Sequence, residues 1–160
     1  MRELDHERYM RRAISLTEHV PHLPIGAVIV DRERDTVLAE GWNKSGLNPT
    51  WHGEIDATNQ LVANQLIGAH GSQARSELVL YTKAEPCSMC QGAILWSGIG
   101  AVVFGMSIPF LQQHGWWQID IPAEELVRRS PQGKCKIMGG VLEEQCNALF
   151  LAAGSSKKGS

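Results

Sequence analysis

The sequence predicts an α/β chain of three layers, with helices on both faces of one mixed five-stranded sheet. Three observations predict it. Short apolar runs alternate along the chain with segments of helical periodicity. The first two apolar runs are joined by a charged stretch, residues 31–35, which reads as an antiparallel hairpin and makes the sheet mixed. Finally, 43% of the 160 residues are hydrophobic, enough for one domain with a real core.

Residues 4–19 carry Tyr9, Ala13, Leu16 and Val20 at helical spacing, with Arg8, Arg11 and Arg12 toward solvent; Pro21 and Pro24 end the helix. Residues 26–30 and 36–40 are the strands of the hairpin, and 41–49, rich in Gly and Asn, is a loop. A second helix is expected to start near His52 and to carry Ile55, Leu61 and Val62 inward, followed by a polar connector at 68–76. Residues 78–82 read as a buried strand. A helix then starts after Cys87, with Met89, Ala93, Ile94 and Trp96 available for packing. Residues 101–104 are the next strand, 122–129 a short helix, 136–138 a last strand and 141–152 a closing helix. These elements make a single domain over residues 1–153. The Gly, Ser and Lys of 154–160 have the composition of a disordered tail.

The 15 Lys and Arg nearly balance the 17 Asp and Glu, a formal net charge of −2. That balance disfavours a large polyanionic partner, which clustered positive charge normally meets. The charged start of the chain lacks the apolar run of a signal peptide, and no stretch reaches membrane-spanning length. A cytoplasmic protein with its four cysteines reduced is therefore expected.

Two segments carry the chemistry: His52-Gly53-Glu54 and Pro86-Cys87-Ser88-Met89-Cys90. Cys87 and Cys90 are three apart, so a helix start brings both sulfurs to one side, where exposed N–H groups favour thiolates. Two thiolates and the His52 imidazole make a three-ligand zinc site whose fourth position stays open for water. Glu54, two residues beyond the histidine, falls in the first turn of its helix and can shuttle protons without ligating the metal. Taken alone, a Cys-x-x-Cys is more often structural zinc, redox or incidental. A structural site would recruit a fourth ligand, yet Cys135 and Cys146 have no neighbour in ligand spacing. A redox pair would not need His52 and Glu54. His-x-Glu followed by Pro-Cys-x-x-Cys is the signature of zinc-dependent deaminases.

On these residues the chain resembles the cytidine deaminase superfamily. The opening His6-Glu7-Arg8-Tyr9-Met10-Arg11-Arg12-Ala13 resembles the first helix of bacterial tRNA adenosine deaminases. Gly41-Trp42-Asn43 and the stretch from Glu85 to Ala93 resemble that branch and the guanine deaminases, and Trp96-Ser97-Gly98 resembles the latter. Pro24-Ile25-Gly26 and His52-Gly53-Glu54-Ile55 are similar to fungal cytosine deaminase. The resemblance implies a cytidine deaminase-like fold, one zinc ion per chain and a homodimer. It also implies substrate-binding roles. Asn43 would hydrogen-bond the base, the alternative being a loop cap. Ile25 would pack on the base face, the alternative being strand-end core. The Gly53 N–H would meet a ring substituent, and the Glu85 carbonyl would accept from the leaving amine. Trp96 reads as core or dimer packing, and Trp116 and Trp117 as pocket lining or subunit-interface packing, the packing favoured; His114 reads as a surface or loop histidine, and His6, His19, His22 and His70 as structural.

The expected substrate is a small amino-heterocycle, guanine-like ahead of cytosine-like. tRNA adenosine deamination is the rival; that branch usually has alanine where this chain has Gly53, and its basic closing helix is missing, since only Lys157 and Lys158 follow an apolar segment. A rival of another class is a non-catalytic binding module that zinc merely stabilises.

Overall fold

The computed structural model describes residues 3–64, 75–131 and 134–154. Its elements run α1 (His6–Ser15), a 3₁₀ turn (Leu16–His19), β1 (Gly26–Asp31), β2 (Thr36–Trp42), α2 (Gly53–Ala63) and β3 (Leu78–Ala84). Then follow α3 (Ser88–Trp96), β4 (Ala101–Met106), α4 (Ile108–Gln113), α5 (Ala123–Arg129), β5 (Lys136–Met138) and α6 (Glu143–Gly154). The sheet order is β2-β1-β3-β4-β5. β1 pairs antiparallel with β2 and β3, while β3–β4 and β4–β5 are parallel. The mixed five-stranded sheet is thus as the alternation predicts.

Strand side chains alternate between two faces, and the core divides accordingly. Val28, Val30, Val79 and Tyr81 pack with Tyr9, Met10, Ala13 and Phe150 of α1 and α6. Ala27, Ile29, Leu78 and Leu80 pack with Ala57, Leu61 and Ile94 of α2 and α3. β3 lies at the centre and is buried along its whole length.

One packing expectation is corrected, and another is narrowed. Val62 is 57% exposed. The buried arc of α2 belongs to Gly53, Glu54, Asp56, Ala57 and Leu61, and Val62, one residue past Leu61, is turned about 100° out of it. Of the two readings of Trp96, core packing is excluded: it is 83% exposed, because two residues past the buried Ile94 it faces the other side of α3. Trp116 packs edge-on to Phe150 at 4.8 Å, whereas Trp117 is exposed. α4 has no counterpart in the sequence reading; it is a six-residue helix capped by Ser107, whose hydroxyl accepts from the Phe110 N–H. The closing helix includes Gly154, one residue beyond the expected domain end. The tail at 155–160 and most of the connector at 68–76 lie outside the described residues.

Candidate active site

His52 and Cys87 are the N-caps of α2 and α3, both in extended backbone with ψ of 167° and 168°, and neither side chain caps its own helix. Both side chains are therefore available to each other. Cys90 follows one turn into α3. The His52 Nδ1 lies 3.6 Å from the Sγ of Cys87 and 3.6 Å from the Sγ of Cys90. A zinc ion bound at ordinary Zn–N and Zn–S lengths in tetrahedral geometry sets these N···S separations at about 3.6 Å. The donor set therefore fits zinc. Among the described residues no other His, Cys, Asp or Glu joins this group, and no second group of three forms.

Proton sharing within the triad points the same way. Cys87 is held as a thiolate, its pKa brought down to about 4 first by a hydrogen bond from Cys90, against burial, and then by His52. Cys90 is pushed the other way, first by that same bond and then by burial. His52 is raised by its hydrogen bond to Cys87. The three donors divide protons where a cation would replace them.

Glu54 lies in the first turn of α2, 4% exposed. Thr82 projects from β3 on the face that meets α2, and its hydroxyl donates to Glu54 Oε1 at 3.1 Å. Burial raises the carboxylate's pKa, and the Cys87 thiolate raises it further.

With this geometry in place, residues 3–106 match the cytidine and deoxycytidylate deaminase zinc-binding region. The chain belongs to this deaminase family. Over 108 residues this family member is 42% identical to a tRNA-specific adenosine deaminase of Haemophilus influenzae, covering 63% of its own length and 58% of that protein's. Over 134 residues it is 33% identical to the guanine deaminase of Bacillus subtilis, covering 76% of its own length and 81% of the relative's. The structure of a guanine deaminase from Nitrosomonas europaea superposes with a TM-score of 0.79 at 20% identity, over 97% of this chain and 87% of that one.

Three residues with implied substrate roles also come together. The Ile25 carbonyl accepts from the Asn43 N–H at 3.0 Å, and a Cβ added to Gly53 would stand 3.1 Å from that same oxygen. The missing side chain lets the start of α2 lie against Ile25. The Asn43 Oδ1 caps its own loop by accepting from the Ser45 N–H at 2.9 Å, so the loop-cap alternative is realised for that atom. Ile25 is half-buried and packs on the core.

Glu85 does more than its carbonyl role suggests. Its buried carboxylate accepts from the backbone N–H of Ile108 at 2.8 Å and of Ala123 at 2.9 Å, tying the starts of α4 and α5 to the end of β3. An acidic residue just before Pro86-Cys87 was the sequence signal for this. Asp56 was missed altogether, although it is fully buried in α2 with three donor groups making four contacts to it. Cys135 and Cys146 are buried in opposite core layers, away from the triad. His114 is exposed and bonds the Phe110 carbonyl, His6 bonds the Tyr81 hydroxyl, and His19 stacks on Trp42. His22 is exposed, and His70 lies outside the described residues.

Proposed function

We propose that this chain is a zinc-dependent hydrolytic deaminase of a small amino-heterocycle, a free base or nucleoside, with guanine-like rings ahead of cytosine-like ones. The observation that carries the reading is a buried carboxylate, Glu54, with one hydroxyl partner beside a His-Cys-Cys set at tetrahedral spacing. When bound, zinc supplies a water that ionises near neutral pH. Glu54 takes the proton, gives it to the ring nitrogen and then delivers one to the departing ammonia. Its raised pKa suits a group that must both accept and return protons. His52, Cys87 and Cys90 hold the metal. Asn43 and the Gly53 N–H contact the base, Ile25 packs on its face, and the Glu85 carbonyl accepts from the leaving amine.

The Bacillus subtilis relative, aligned over most of both chains, supports a guanine-like substrate. The Haemophilus influenzae relative supports tRNA adenosine as the second reading. Against that reading stand the net charge of −2 and a closing helix that opens with Glu143 and Glu144 and has no basic residue in its last turn. A binding module needs a closed coordination shell, and only three ligands assemble among the described residues. A homodimer is supported by Trp96, Leu149 and Leu151, apolar side chains left exposed on α3 and α6. No helix among the described residues is long and apolar enough to cross a membrane.

The test is an ammonia-release screen of guanine, cytosine, adenine, their nucleosides, triazines and a tRNA anticodon stem-loop. Release from a free purine, abolished by chelation and restored by zinc, is expected. Inosine formed only in the stem-loop would move the assignment to RNA. Zinc bound without turnover of any of these would leave the binding module.

A further inference from the structure

We infer that Asp56 is a positioning residue, whose carboxylate registers the segment holding Asn43 and His52 against the helix that carries Glu54. Its kinetic consequence rests on the deaminase reading above; its geometry does not.

The Asp56 side chain is 1% exposed and is surrounded by donors. Lys44 Nζ lies 2.8 Å from each of its oxygens. The Trp42 backbone N–H donates to Oδ2 at 3.1 Å and the Trp51 indole Nε1–H to Oδ1 at 3.0 Å. The Asp56 N–H donates in turn to the His52 carbonyl at 2.9 Å. The held groups belong to Trp42 and Lys44, which flank Asn43, and to Trp51, which precedes His52. One carboxylate thus grips both chain neighbours of the base-contacting asparagine and the residue before the metal histidine.

The surroundings are built around this grip. Gly41 lies directly under the backbone of Ala57 and Asp56, where any Cβ would collide, so β2 and α2 approach closely enough for Asp56 to reach the Trp42 N–H. The loop closes on itself through Lys44 N–H to the Trp51 carbonyl at 2.8 Å and Trp51 N–H to the Asn48 carbonyl at 2.8 Å. The Lys44 ammonium sits 4.5 Å from the Trp42 ring centroid and 5.2 Å from that of Trp51, so it holds both aromatic faces while it neutralises the carboxylate. Both carboxylate oxygens are engaged twice, each contact coming from a group of this one segment. A displacement on the order of 1 Å in such a frame is enough to cost about 100-fold in kcat/KM.

Asp56→Asn keeps the size and one acceptor but removes the charge that orders Lys44. With the best substrate of the screen, kcat/KM should fall about 10- to 100-fold, mostly through KM, while zinc stoichiometry stays at that of the unaltered chain. Lys44→Met should produce the same split, and the double variant should lose no more than the worse single one, because both act through one contact. Cobalt(II) loaded in place of zinc gives absorption bands sensitive to how the imidazole and thiolates are placed, and these should shift in Asp56→Asn. That readout needs no substrate, so it stands even if no base is deaminated. Should Asp56→Asn fail to fold, Trp51→Phe removes a single bond and should shift the same bands with a KM rise of about 3-fold. Unchanged bands and unchanged KM in the folded variant, with only a lower melting temperature, would reduce Asp56 to a structural ion pair and overturn the inference.

Discussion

The two faces of the central strand treat buried charge differently. On the α2–α3 side, Thr82 meets Glu54, and Asp56 is saturated by Lys44, Trp42 and Trp51. On the α1–α6 side the layer is apolar, with Tyr81 reaching the rim to bond His6. There the one buried ionic group of β3, Lys83, has an Nζ that makes no hydrogen bond among the described residues. Burying a polar group unpartnered costs free energy. A cluster in which such groups are answered therefore marks a built site, and an unanswered one, such as the Lys83 ammonium, marks a cost. Even within α2 the two carboxylates differ. Glu54 has one hydroxyl partner and a raised pKa, which leaves it reactive, whereas Asp56 is fully engaged and serves as a fixture.

The strongest way to break this comparison is to remove the reactive carboxylate. Glu54→Ala should lower kcat by about 1,000-fold while the protein stays folded and keeps its zinc, as read by steady-state kinetics, circular dichroism and metal analysis. Turnover within a few-fold of the unaltered chain would take the proton shuttle away from Glu54. A sharper cut comes from its hydroxyl partner, Thr82. Thr82→Val is nearly isosteric and deletes only the 3.1 Å bond to Oε1. A fall in kcat of about 10-fold, with KM little changed, is expected from one misaligned hydrogen bond to a charged group. An effect on KM alone would place Thr82 in substrate binding instead.

What could be read ahead of the structure follows the same division. His52, Glu54, Cys87 and Cys90 were legible because their geometry is local: two helix starts, a spacing of two and a spacing of three. The hairpin was legible from the charged turn between its strands, and the sheet with it. Asp56 was not, because its donors come from the end of β2 and the following loop, 5 to 14 residues away, and an aspartate in a helix gives no sign of what surrounds it. Nor was α4, which is too short for a period to show. Val62 was misplaced because apolar character says that a residue can pack, while helical phase decides whether it does.

Lys83 offers the smallest effect and the cleanest sign. Alternation along β3 puts it on the face of Val79 and Tyr81, beneath α6, where Cys146 occupies the space that Gly105 leaves empty. Burial lowers its pKa from 10.5 to about 8. In the unfolded chain the amine keeps its proton up to the higher value, so between about 8 and 10.5 the unfolded state binds more protons and stability rises with pH. Below about 8 both states are charged and the full burial cost is present. Methionine matches the unbranched stem without the ammonium. The shift sets a ceiling of about 3 kcal/mol, and relaxation around the amine brings the expected gain of Lys83→Met to about 1 kcal/mol at pH 7. Urea denaturation should show that gain shrinking as the pH is raised through 8 toward 10.5. A variant no more stable than the parent at pH 7, or one whose advantage is flat with pH, would mean that the ammonium is answered after all and that the back face holds polarity as well as the front.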